Sequence, residues 1–111
     1  MNKEGRNQIS NIVRQLELLS KNITTDNLGK TVELLEDCIS EIDDLESEER
    51  EKFDNLSEGL QASDRGFALE EAADNLSDAK SSLEPIDNTN KPEDVASSIE
   101  SAIESLEMAK G

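Results

Sequence analysis

The sequence predicts an all-α protein: a helical bundle of two long antiparallel helices with a short basic N-terminal helix and a C-terminal helix, expected to associate as a homo-oligomer. Apolar residues recur at three- and four-residue steps through most of the chain, the spacing of one helix face. The stretches TTDNLGK, LSEGLQASDRG and PIDNTNKP interrupt that rhythm, as does the charged run SEEREK within the second helix. Leu, Ile, Val and Phe make up 26 of 111 residues, a modest core for which a second copy would supply the missing apolar burial.

The first helix is expected over about 5–22, where Ile9, Ile12, Val13, Leu16 and Leu19 form a stripe that Ile23 extends. Thr25, Asp26 and Asn27 are candidate caps for the second, whose stripe runs through Leu28, Val32, Leu35, Cys38, Ile39, Ile42 and Leu45 and resumes at Phe53 and Leu56. It should end near Asn55. Ser63 is placed to cap a third helix, with Asp64 favouring the positive end of the helix dipole. The seam of that helix, Leu69, Ala72, Leu76, Ala79, Leu83 and Ile86, alternates steps of three and four, and its small residues let a partner helix come close. A fourth helix starts near Pro92 and carries Val95, Ile99, Ala102, Leu106 and Ala109. The chain reads as one all-α domain, 1–111: a basic N-terminal helix over 1–24, a helical hairpin over 27–86 and a C-terminal helix over 91–110.

Acidic residues number 27 against 11 basic ones, and the net charge of −16 argues against direct nucleic-acid binding, because such a surface repels phosphates. The charge is uneven. Residues 1–30 hold Lys3, Arg6, Arg14, Lys21 and Lys30 against Glu4, Glu17 and Asp26, a balance of +2 that leaves −18 for residues 31–111. No apolar run has the length of a signal peptide or a membrane span, so a cytoplasmic protein with no membrane partner is expected. With no His and a single Cys on an apolar stripe, catalytic dyads and transition-metal sites of the usual kinds cannot be assembled. DNTNKPEDVASS lacks the Gly and the closing Glu of a calcium loop, and there is no Gly-rich phosphate loop. No enzyme activity, metal or cofactor is expected.

The stretch EKFDNLSEGLQASDRGFALEE, residues 51–71, stands out from this acidic helical background. As a turn it would use Phe53, Leu56 and Leu60 to cap the core, Gly59 and Gly66 for tight backbone, and Asn55 and Ser63 for free helix-end groups. Arg65 fits that role least well, since an Arg beside a Ser at a helix start can hold an anion. Candidate ligand-binding residues are therefore Lys21, Thr24, Thr25 and Lys30 at the first turn, and Gln61, Ser63 and Arg65 at the second.

The run FDNLSEGLQASDRG, followed by an Ala- and Glu-rich helix, resembles a segment of small acidic helical proteins of unassigned function that recur in phages and prophages; Ser57 stands where those usually carry Pro. The resemblance covers about 35 residues and implies a phage accessory role without specifying chemistry. In outline, a short basic helix followed by two long antiparallel ones is also similar to phage anti-defence sponges, helical oligomers that sequester cyclic nucleotides. Three functions follow as expectations. The first is a non-catalytic module sequestering a small anion such as a nucleotide second messenger. The second is an acidic interaction protein or DNA mimic that blocks a basic surface of a host protein, such as a defence protein. The third is a structural coiled-coil subunit.

Overall fold

In the computed structural model, which describes residues 1–111, the first helix is α1 (Lys3–Asn22). It begins ahead of its apolar stripe because the Asn2 side chain accepts from the Gly5 amide at 2.8 Å and caps it. A turn then locks through Thr24 and Asn27: the Thr24 amide donates to Asn27 Oδ1 at 2.8 Å, and the Asn27 amide donates to Thr24 Oγ1 at 3.2 Å. Asn27 Nδ2 also donates to the Asn22 carbonyl at 2.7 Å. This corrects the expected capping of α2 (Leu28–Asp54): Asn27 occupies the N-cap position but spends its side chain on the turn behind it, and Thr25 and Asp26 make no cap.

The inner face of α2 carries Leu28, Thr31, Leu35, Cys38, Ile42 and Leu45, and then Glu49. Between α2 and α4 (Asp64–Leu83) the chain makes one helical turn, α3 (Glu58–Gln61), which the apolar spacing does not reveal. Gln61 Nε2 donates to the Phe53 carbonyl at 3.1 Å, tying α3 to the end of α2. Ser63 holds the N-cap position of α4, but its hydroxyl donates back to the Leu60 carbonyl and caps no amide ahead of it, contrary to the sequence expectation. A Cβ at Gly66 would overlap the Gln61 backbone, so this position requires glycine, whereas Gly59 faces open space and requires nothing. Leu60 caps no core, being 50% exposed.

The expected seam of α4 is buried at Leu69, Ala72, Leu76, Ala79 and Leu83. Beyond it, Asp87 Oδ1 accepts from the Thr89 amide and Asn90 Oδ1 from the Asp87 amide, and α5 (Pro92–Ala109) starts on a proline with Glu93 and Asp94 in its first turn.

The four longer helices form an antiparallel bundle in which α4 packs against both α2 and α5, while α1 lies mainly on α5 and touches α2 lightly. α2, with 27 residues, is the long member; α1 and α4 have 20 each. Ion pairs stitch α2 to α4: Lys80 Nζ reaches Asp43 at 2.7 Å and Glu46 at 3.0 Å, and Arg50, held within α2 by Glu46 at 2.8 Å, reaches Asp74 at 3.4 Å. The rod measures 53 × 22 × 18 Å between Cα extremes. Leu76 is 0% exposed in the single chain, so the Leu/Ala seam that suggested association is covered from within. No helix is long and apolar enough to cross a membrane.

Candidate functional site

Because α1 leans on α5, its seam with α2 opens into a cleft of about 290 Å³. One wall is a row of carboxamides from α1: Gln8, Asn11 and Gln15. The other is a row of carboxylates from α2: Glu41, Asp44 and Glu48. Ile12 and Leu45 form the floor. Both rows step by three and then four residues, which keeps each on one helix face over about 10.5 Å of axis. Since the helices run antiparallel, the Gln8 end of one row faces the Glu48 end of the other.

The three carboxylates are exposed and take part in no ion pair of the fold. Their charge is uncompensated along one wall, while the facing amides can both donate and accept. At the inner edge, Cys38 Sγ approaches Gln15 Oε1 at 3.7 Å and orients that amide. Burial, with Glu41 and Asp37 adding to it, pushes the Cys38 thiol up to about 11, so it stays neutral and acts as packing. No three His, Cys, Asp or Glu side chains converge as metal ligands.

The sequence-predicted residues divide between the two ends of the rod. Lys21, Thr24, Thr25 and Lys30 lie exposed at the α1–α2 turn, where Thr24 is committed to that turn and Lys30 stands 4.0 Å from Glu33. Gln61, Ser63 and Arg65 lie at the far end, where Gln61 and Ser63 hold the α3 turn together. Arg65 lines a cleft, which it shares with Lys52.

The groove residues were not singled out from the sequence. Their matching spacing of 8, 11, 15 and 41, 44, 48 is visible there, but which flank of α2 turns toward α1 depends on the packing of α1 against α5. No protein-family model, curated protein or solved structure matches this chain.

Proposed function

We propose that this chain is a non-catalytic acidic interaction protein that occupies a basic surface of another protein, taking a basic amphipathic helix into the α1–α2 groove. The observation that carries this reading is the pair of matched rows. A partner helix with Lys or Arg at i, i+3 and i+7 repeats the axial spacing of Glu41, Asp44 and Glu48, and an apolar residue between them meets Ile12 and Leu45. The amides of Gln8, Asn11 and Gln15 then satisfy polar groups on its other flank.

Close imitation of duplex DNA is a weaker form of the same idea. A net charge of −16 spread over 53 Å is about one charge per 3.3 Å, half the axial density of B-DNA. Imitating rows of phosphates does not call for a cleft walled by carboxamides and carboxylates over an apolar floor, so the groove favours a peptide partner. With the likeness of FDNLSEGLQASDRG to phage and prophage proteins, this reading makes the chain an accessory protein directed against a host factor in the cytoplasm. Association of its own copies, expected from the sequence, would use the end that exposes Leu60 and Phe67, since the α4 seam is occupied.

The test is fluorescence anisotropy with a labelled amphipathic peptide carrying Lys at i, i+3 and i+7. Binding in the micromolar range is expected, weakening about tenfold between 50 and 200 mM salt as charge attraction is screened. Binding insensitive to salt, or none tighter than about 100 μM, contradicts the proposal.

A further inference from the structure

We infer that the cleft shared by Arg65 and Lys52 is a binding site for a small phosphomonoester, separate from the α1–α2 groove and independent of its role. The cleft, about 310 Å³, lies where the start of α1, the last turn of α2 and the first turns of α4 meet, and it is lined by Met1, Asn2, Lys52, Arg65, Ala68 and Leu69. Two of these side chains are cationic and none is acidic. The α1–α2 groove, the α2–α4 groove and the two clefts beside α5 each contain at least one carboxylate. In a chain of net charge −16, a cleft lined by two cations and no carboxylate is a local reversal of sign, offset in part by Glu49 behind Lys52.

Arg65 belongs to no ion pair, so its guanidinium donors are uncommitted. Lys52 gives one of its three donors to Glu49 Oε1 at 3.1 Å and keeps the others. Glu49 is only 2% exposed, and its second oxygen, Oε2, is buried without a hydrogen-bond partner. A bound anion therefore competes with Glu49 for Lys52.

A phosphomonoester matches this arrangement in charge and in oxygens. At neutral pH it carries close to two negative charges on three terminal oxygens. The Arg65 fork suits two of those oxygens and the Lys52 ammonium the third, whereas a carboxylate would satisfy the fork and leave the ammonium unused. Ala68, Leu69 and Met1 give an apolar wall for a small neutral body. Larger polyanions are disfavoured, because each phosphate outside the cleft meets the acidic remainder of the surface.

The experiment is an NMR titration of the full chain at constant ionic strength with inorganic phosphate, with glycerol 3-phosphate, with chloride alone and with vesicles of anionic phospholipid. Saturable shifts are expected for phosphate and glycerol phosphate at Lys52, Arg65, Ala68 and Leu69, with no shifts for chloride or vesicles. Arg65→Ala, an exposed and unpaired position that folding does not depend on, should weaken binding about tenfold. Glu49→Gln, which frees Lys52 from its buried partner, should tighten it about threefold. Shifts that never saturate, that chloride reproduces, or that survive Arg65→Ala unchanged would overturn the site, and binding to vesicles through the same residues would overturn its assignment to a small free ligand.

Discussion

Glu46 is largely buried beside Lys80 and Arg50, and its titration shows how single side chains hold α2 against α4. Burial pushes its carboxyl up, but the hydrogen bonds from Lys80 and Arg50 outweigh that effect and leave it below its ordinary value of 4.5. Lys80 is correspondingly raised to about 12 by Asp43 and then Glu46. A carboxyl depressed in the folded state stabilises the fold above its ordinary value, and that contribution is lost as pH falls through the depressed one. Glu46→Gln should thus destabilise the protein by about 1 to 2 kcal/mol at pH 7, and the gap from the unmodified chain should shrink below pH 4.5. Denaturant titrations of both proteins at pH 7 and pH 3 measure this; a gap of constant size contradicts it. Arg65 could be found in the sequence because it is an isolated cation among helix-start residues. Lys52 could not, because it sits in the charged run SEEREK and meets Arg65 only once α3 has folded the chain back.

The same division between local and assembled information holds for the helices. The stripes of α1, α2, α4 and α5 are local periodicities that the structure follows at most positions, although on α2 the polar Thr31 and Glu49 are buried while Val32 and Ile39 are only half-buried. The caps at Asn27 and Ser63 were misjudged because both side chains had a competing partner in the preceding turn, which residue preference alone does not disclose. α3 was missed because a four-residue helix has no period to read. Gly66 is the backbone element on which that turn depends. Gly66→Ala should destabilise the protein by about 2 kcal/mol or more through overlap with the Gln61 carbonyl, reversing the usual gain from replacing a helical glycine. Gly29→Ala, where nothing lies within 4 Å, should instead stabilise it by about 0.5 to 1 kcal/mol. Thermal melting of the two variants should move in opposite directions, and a rise for both would show that the α3–α4 junction relaxes freely.

At the scale of the whole molecule, net charge is written in the composition, but its arrangement into a groove is not. The groove exists because α1 packs on α5 more than on α2, leaving the amide and carboxylate rows facing each other across an open seam. Long-range attraction by −16 and local recognition by those rows make different demands, and variants of equal charge separate them. Glu93, Glu100 and Glu104 provide the control, since they form an exposed, unpaired stripe on α5 away from the groove. The decisive measurement is the affinity of the basic helical peptide for two triple variants, Glu41→Gln with Asp44→Asn and Glu48→Gln, and Glu93→Gln with Glu100→Gln and Glu104→Gln. Recognition by the groove requires the first triple to weaken binding by about a hundredfold and the second by less than about threefold. Equal losses in the two would mean that the peptide responds to net charge alone and that the α1–α2 groove is not its docking site.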